Sequence, residues 1–111
     1  MSALDQKTGG GAYDVVAITA CPTGIAHTFM AAKGLEDQAA KMGVSIKVET
    51  QGSGGAKNVL TAADIAGARG VIIAADKNVE LDRFDGKPVY SCAVTRGIND
   101  AEELINIALA G

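Results

Sequence analysis

Apolar runs in this chain alternate with segments of helical periodicity, and this alternation limits the fold more than any other feature. Residues 15–18 form an apolar run, and a segment with apolar residues at steps of three and four follows it. That spacing places side chains on one face of an α-helix. The predicted helical face comprises Phe29, Ala32, Leu35, Ala39 and Met42. Repeated strand–helix alternation predicts a parallel sheet with right-handed crossovers.

The sequence predicts four strands. The first covers residues 13–20. The second, at 44–49, alternates apolar and polar residues, which is typical of a strand near a sheet edge. The third, at 71–75, is wholly apolar, as a central parallel strand is, and the fourth covers 89–91 after Pro88. We therefore predict an α/β fold: one small flavodoxin-like or Rossmann-like domain with a four-stranded parallel sheet in the order 2-1-3-4 and helices on both faces.

Local signals predict where the helices begin and end. Gly43 is placed to end the first helix. Thr61 with Asp64 resembles a capping box, and Leu60 with Ile65 has the spacing of a hydrophobic staple around it. These signals predict a short second helix that ends near residue 70.

Three further segments carry weaker signals. Residues 51–58 are rich in glycine and predict a loop, and residues 81–84 predict a helical turn. Asn99 with Glu102 resembles another cap, which predicts a final helix that buries apolar residues further along. The buried residues predicted for that helix are Leu104, Ile105 and Ala108.

Composition places the chain among small globular proteins. Its 111 residues fit one domain, and the polar residues 1–12, which end in three glycines, predict a flexible linker or a non-native remnant outside the fold. Residues 13–111 are predicted to form the domain. The net charge of −3 and the mixed distribution of charges predict no nucleic-acid partner.

The cysteine count and the apolar runs bear on location. Two cysteines make no disulfide framework, which favours a reduced, cytoplasmic setting. No run approaches the roughly 20 apolar residues of a membrane helix, and no signal peptide is recognisable. We therefore predict a domain that does not itself span the membrane, and any membrane role is expected to come through a partner or a longer parent chain.

The segment from Cys21 to Thr28 carries the strongest chemical signal. Cys21 follows the first strand, and a loop of small residues leads to the next helix, so the cysteine lies where parallel sheets bind anions. Main-chain N–H groups and the helix dipole favour a thiolate there. We predict that Cys21 is the catalytic residue, held at the mouth of the sheet. The predicted phosphate-binding loop comprises Pro22, Thr23, Gly24, Ile25, Ala26, His27 and Thr28.

The same segment, CPTGIAHTFMAA at residues 21–32, resembles the signature of the fructose-type enzyme IIB domain of the bacterial phosphoenolpyruvate-dependent sugar phosphotransferase system. VETQG at 48–52 and DRF at 82–84 are also similar to that family. The resemblance implies that phosphohistidine on enzyme IIA donates to Cys21. Phosphocysteine then passes the group to a sugar bound in the membrane enzyme IIC, with fructose or mannose as the sugar. It places the domain in the cytoplasm, at the inner face of the membrane.

Two other functions remain open on the residues alone. A low-molecular-weight cysteine phosphatase has a similar loop, but it needs an arginine where this chain has His27. A guanidinium grips phosphate with two parallel hydrogen bonds, which histidine cannot do. Such a phosphatase also needs an acid, and Asp76, Asp82 and Asp85 stay open for that role. A non-catalytic flavodoxin-like interaction module is the third reading.

Several residues have two readings. His27 either contacts the phosphate or only caps the helix, and Gln51 either borders the site as a second layer or is a plain loop residue. Cys92 is interpreted as a small buried hydrophobe and less readily as a resolving thiol.

Residues 52–57 do not match the dinucleotide-binding fingerprint, because Lys57 takes the third glycine position. We predict no metal, because one histidine and two distant cysteines make no cluster, and no cofactor.

Overall fold

A computed structural model describes residues 13–22, 26–52 and 55–110. Its sheet has five strands in the order β3-β2-β1-β4-β5. The strands are β1 (Val15–Ala20), β2 (Ile46–Gly52), β3 (Gly55–Lys57), β4 (Gly70–Ala75) and β5 (Val89–Cys92). β1 pairs in parallel with β2 and β4, and β4 pairs in parallel with β5. The four parallel strands confirm the predicted order, with β4 and β5 as the third and fourth.

The fifth strand corrects the predicted strand count. The prediction of a loop over 51–58 is wrong, because β2 continues to Gly52 and β3 returns antiparallel to it. Gly55, the first residue of β3, has φ of +100°, a conformation that L side chains rarely adopt. A short edge hairpin therefore replaces the loop, and β2 lies one strand in from the edge.

The helices cover both faces of the sheet, as predicted. They are α1 (Ala26–Met42), α2 (Ala62–Gly67), α3 (Val94–Asn99) and α4 (Ala101–Ala110), with a 3₁₀ turn at Asp82–Phe84. One core packs Leu35 of α1 and Leu104 of α4 against β1, and the other packs Ile65 of α2 and Phe84 against the opposite face. β1 is buried along its whole length between these two cores.

The predicted helix boundaries are confirmed in part. α1 ends at Met42, and Gly43 has φ of +73°, the left-handed conformation that glycine tolerates. Thr61 and Asp64 form the predicted capping box at the start of α2. The predicted cap at Asn99 is wrong, because Asn99 is the last residue of α3, a helix that the sequence patterns did not reveal.

The prediction that Phe29 lies on the buried face of the first helix is wrong. Phe29 is 43% exposed, whereas Thr28 and Ala31 of the same helix are buried. The buried face of α1 is therefore turned toward α3, because α1 packs there as well as on the sheet. Ala32, Leu35 and Ala39 of the predicted face are buried, as predicted.

Candidate functional site

Cys21 follows the last residue of β1, at the carboxyl edge of the sheet. The strand order turns there, because β2 lies on one side of β1 and β4 on the other. The side chain is 3% exposed and packs against Ala31 and Val94, on the side of the sheet that carries α1 and α3. The cysteine thus has the predicted place in the sheet, but its side chain is buried and not open to solvent.

The hydroxyl of Thr28 donates a hydrogen bond to the sulfur of Cys21, with Oγ1 and Sγ 3.2 Å apart. Thr28 is a buried residue in the first turn of α1. The Thr28 carbonyl accepts a hydrogen bond from Thr19 Oγ1 at 2.9 Å. This bond joins β1 to the first turn of α1 next to the sulfur. A donor aimed at sulfur stabilises the thiolate relative to the thiol.

The remaining loop residues differ in how the structure places them. Pro22 is exposed, and Ala26 and His27 are exposed at the start of α1. Thr23, Gly24 and Ile25 lie outside the described residues, as does the predicted linker at 1–12.

Gln51 belongs to a hydrogen-bond network on the other side of the sheet. Glu49 of β2 is 2% exposed, and its carboxylate accepts hydrogen bonds from Gln51 Nε2 at 2.8 Å, Arg83 Nη2 at 2.8 Å and the Leu60 N–H at 2.9 Å. Arg83 also donates to the Leu60 carbonyl at 3.4 Å. The network joins β2, the segment before α2 and the 3₁₀ turn into one unit.

Hydrogen bonding decides the protonation state of this buried carboxylate. Burial raises the pKa of Glu49, but the hydrogen bonds from Arg83, Gln51 and Leu60 and the charge of Arg83 outweigh burial and hold the pKa below its ordinary value. Glu49 is therefore an anion inside the fold. Its role in the structure is to hold Arg83 and Gln51 in place.

Gln51 and Arg83 also line a cavity of about 500 Å³ at the carboxyl edge. The other lining residues are Lys77, Asn78, Glu80 and Asp82. Gln51 is the cross-strand neighbour of Ala20, the residue before Cys21. The side chain nevertheless lies with Glu49 and Arg83, so the structure brings Gln51 to the same edge as Cys21 but into a different cluster.

Cys92 is the last residue of β5 and is half-buried. Burial raises the pKa of its thiol, Arg96 opposes that shift, and the negative charges of Asp100 and Asp76 add to it. β4 separates β5 from β1, so Cys92 is two strands away from Cys21. Two strand spacings amount to about 9–10 Å, more than a disulfide can bridge, which excludes a direct pairing between the two strand positions.

Sequence reasoning missed two features of this edge. Glu49 was read as the polar side of an alternating strand, whereas it is buried and paired with Arg83, 34 residues further along the chain. Asp76 was considered only as an acid for a phosphatase, whereas its Oδ1 accepts the N–H of Val94 at 3.0 Å, at the start of α3. The Glu49–Arg83 contact could not be predicted because the two residues are far apart in the sequence. The Asp76–Val94 contact could not be predicted because α3 was not recognised.

These observations define a class of protein: a flavodoxin-like α/β domain with a cysteine at the carboxyl edge of its central strand. A family described as the lactose/cellobiose-specific IIB subunit of the PTS system matches residues 16–107. The PTS fructose-specific EIIB'BC component of Xanthomonas campestris is 52% identical over 109 residues, which are 98% of this chain and 19% of the relative. The fructose-specific EIIABC component of Bacillus subtilis is 56% identical over 95 residues, which are 86% of this chain and 15% of the relative.

Solved structures agree with the sequence relatives. A domain of fruA from Bacillus subtilis has a TM-score of 0.84 at 52% identity and covers 87% of this chain and 93% of that one. A domain of the fructose-specific IIABC component from Borrelia burgdorferi has a TM-score of 0.83 at 47% identity, covering 87% and 93%. The chain belongs to the family of PTS IIB domains.

The chain spans less than a fifth of the length of the two curated relatives above. Within the described residues, no helix has both the length and the apolar character needed to cross a bilayer.

Proposed function

We propose that this domain relays a phosphoryl group through Cys21, from phosphohistidine on an enzyme IIA partner to a sugar bound in a membrane enzyme IIC. The contact that carries the proposal is the hydrogen bond from Thr28 Oγ1 to the sulfur. A hydroxyl that donates to sulfur favours the thiolate, which is both the attacking nucleophile and the later leaving group. Membership of the PTS IIB family supports the phosphotransferase role.

The first step transfers the group onto sulfur. The Cys21 thiolate attacks phosphorus in line with the departing imidazole, so the S–P bond forms as the N–P bond breaks. No proton has to leave the nucleophile when sulfur is already ionised. The proposed cradle for the transferring oxygens is the loop at residues 22–28, with the main-chain N–H groups of residues 23–28 and the hydroxyl of Thr23 as donors.

The second step passes the group to the sugar. A sugar hydroxyl gives up its proton to a base and attacks phosphorus, the O–P bond forms, the S–P bond breaks, and the electron pair returns to Cys21 as thiolate. Thr28 again stabilises that charge. Fructose is the proposed sugar because the relatives above are named fructose-specific, and mannose is the second candidate. The proposed location is the cytoplasmic face of the membrane, through a fused or associated enzyme IIC.

Mass spectrometry of the intact chain tests the relay. The chain is incubated with phosphoenolpyruvate, enzyme I, the phosphocarrier protein and enzyme IIA, and a single added phosphoryl group is expected on Cys21. Cys21→Ser is expected to lose it, and Cys92→Ser, a matched change at the other cysteine, is expected to keep it. Equal labelling of Cys21→Ser and the unaltered chain would refute the proposal.

Hydrolysis of an aryl phosphate separates the relay from the phosphatase reading. His27 occupies the position where such phosphatases need an arginine, so hydrolysis by the pure chain is expected to be slow. Rapid, Cys21-dependent release of the phenol would favour the phosphatase.

A further inference from the structure

Asp76 lies beside Cys21 at the carboxyl edge of the sheet. Ala20 pairs with Ala75 at the end of the β1–β4 ladder, and the N–H of Asp76 donates to the Ala20 carbonyl at 3.0 Å. Continuing the register by one residue places Cys21 next to Asp76. Neighbouring strands are about 4.8 Å apart, so the backbones of Cys21 and Asp76 are close enough for their side chains to be in contact.

Both side chains point to the same side of the sheet. Cys21 packs against Val94 of α3, and the carboxylate of Asp76 accepts the N–H of that same Val94 at 3.0 Å. Alternation along β4 agrees, because Ala74, two residues earlier, lies under Gly97 of α3. The Cys21 sulfur and the Asp76 carboxylate therefore both contact the start of α3, at Val94.

The carboxylate is held at one oxygen and open at the other. Oδ1 accepts from Val94, and Asp76 is an exposed residue whose Oδ2 has no protein partner among residues 13–22, 26–52 and 55–110. A carboxylate oxygen that is not already bonded can accept a proton from a substrate hydroxyl within hydrogen-bond reach, which is what a general base does. Because Cys21 is the proposed phosphoryl carrier, a phosphoryl group on its sulfur and the open oxygen of Asp76 would both lie at this edge.

We propose that Asp76 is the general base for the second transfer, in which the sugar hydroxyl takes the phosphoryl group from Cys21. The O–H proton of the sugar passes to Oδ2 of Asp76 while the O–P bond forms and the S–P bond breaks. The electron pair of the S–P bond returns to sulfur, and the proton leaves Asp76 to solvent. This inference rests on the proposed relay and assigns a catalytic group to one of its two steps.

The first transfer has no use for such a base. Its nucleophile is a thiolate, which carries no proton, and the donor imidazole leaves without needing a base. A negative charge beside sulfur instead opposes the thiolate, since like charges disfavour each other. Asp76 is therefore expected to accelerate the second step while slightly hindering the first.

Among residues 13–22, 26–52 and 55–110, the ionisable groups nearest to Asp76 are Cys21, just after β1, Cys92 on β5, whose thiol feels the charge of Asp76, and the chain neighbour Lys77. On the helices that pack over this edge, Arg96 of α3 pairs with Asp100 and Glu103, and His27 lies exposed at the start of α1. None of these contacts ties up Oδ2 of Asp76.

The decisive variant is Asp76→Asn. An asparagine oxygen can still accept the Val94 N–H, so the start of α3 keeps its contact while the base is lost. Asp37→Asn is the matched control, because Asp37 is an exposed carboxylate of α1 that pairs with Lys33, and it is expected to leave both transfer steps unchanged. Each variant is first phosphorylated from enzyme IIA, and the phosphorylated chain is then mixed with membranes that carry enzyme IIC and fructose.

Two outcomes support the assignment. Phosphorylation of Cys21 in Asp76→Asn is expected within about twofold of the unaltered chain, whereas transfer to fructose falls about a hundredfold, the usual contribution of a general base. Alkylation of Cys21 by iodoacetamide is expected to have a lower pH midpoint in this variant, because the neighbouring negative charge is gone.

Other results would overturn it. Transfer to fructose within threefold of the unaltered chain in Asp76→Asn would exclude Asp76 as the base. An equal loss in both steps would indicate a structural role, and Asp76→Ala, which also loses the Val94 contact, serves as the reference for such damage. If Cys21 of the unaltered chain takes no phosphoryl group, the proposed relay itself fails, and that result differs from failure of the Asp76 assignment alone.

Discussion

Thr28 Oγ1 lies 3.2 Å from Cys21 Sγ, although the two residues are seven positions apart in the sequence, because β1 and the first turn of α1 meet at the carboxyl edge. The Thr19 hydroxyl bonds to the Thr28 carbonyl, which holds the first turn of α1 against β1. Two buried threonines therefore fix the first turn of α1 next to the Cys21 sulfur. This contact gives the first of four predictions.

Thr28→Val removes the hydroxyl and nearly keeps the shape of the side chain. We expect the pH midpoint for alkylation of Cys21 to rise, because the thiolate loses a donor. The rate of phosphorylation from enzyme IIA is expected to fall about tenfold, which corresponds to about 1.4 kcal/mol. Thr28→Ser keeps the hydroxyl and is expected to stay within threefold, and an unchanged alkylation profile in Thr28→Val would contradict the role.

Because the carboxylate of Glu49 is buried and hydrogen-bonded, the free energy of unfolding is expected to fall at acid pH. Burial raises its pKa, but the hydrogen bonds from Arg83, Gln51 and Leu60 prevail, so the folded-state pKa lies below the ordinary value. A depressed pKa contributes stability above the unfolded-state pKa, and that stability is lost as pH falls through the folded-state value. Urea unfolding from pH 7 to pH 3 is expected to show this loss.

Glu49→Gln is expected to remove this part of the pH dependence and to lower the free energy of unfolding at pH 7 by about 2 kcal/mol, since Arg83 loses its charged partner. Glu36→Gln, a change at an exposed glutamate of α1, is the control and is expected to leave both quantities nearly unchanged. An identical pH profile for Glu49→Gln and the unaltered chain would count against the network.

Cys92 is expected to be a slow thiol. Burial raises its pKa, and Asp100 and Asp76 raise it further against the effect of Arg96. Iodoacetamide at pH 7.5 is therefore expected to modify Cys92 more slowly than a free peptide thiol, as measured by peptide mass spectrometry. Asp100→Asn is expected to increase that rate, and a Cys92 that reacts as fast as the free thiol would contradict this account.

The capping box at α2 contributes stability without contacting the site. The Asp64 N–H donates to Thr61 Oγ1 at 3.0 Å, and the Thr61 N–H donates to Asp64 Oδ2 at 2.9 Å. Thr61→Ala is expected to lower the free energy of unfolding by about 1 kcal/mol in urea titration while phosphorylation of Cys21 continues at its normal rate. Thr95→Ala, at an exposed position of α3, is the control, and equal stability of the two variants would contradict the cap.

Local patterns predicted the parts of the fold that local physics governs. Apolar run length distinguished the central strand at 71–75, and helical spacing with Gly43 gave the extent of α1. The strand order followed because parallel strands joined by right-handed helical crossovers have few arrangements. The position of Cys21 at the carboxyl edge follows for the same reason.

Contacts between distant segments decided the rest. Burial of Glu49 depends on Arg83, and no period within β2 encodes a partner 34 residues away. α3 is six residues long and packs on α1 because Gly97 has no Cβ to meet Ala31, so its existence depends on another helix and not on its own periodicity. β3 forms only by pairing with the end of β2.

The amino-acid sequence by itself thus determined the order of strands and helices and the position of Cys21, since both depend on periodicity and chain connectivity. Only the tertiary structure decided what surrounds the sulfur: Thr28 of α1, Val94 of α3 and Asp76 just after the neighbouring strand β4. Those neighbours come from three separate segments, and their distances to Cys21 are set by how the sheet and helices pack together.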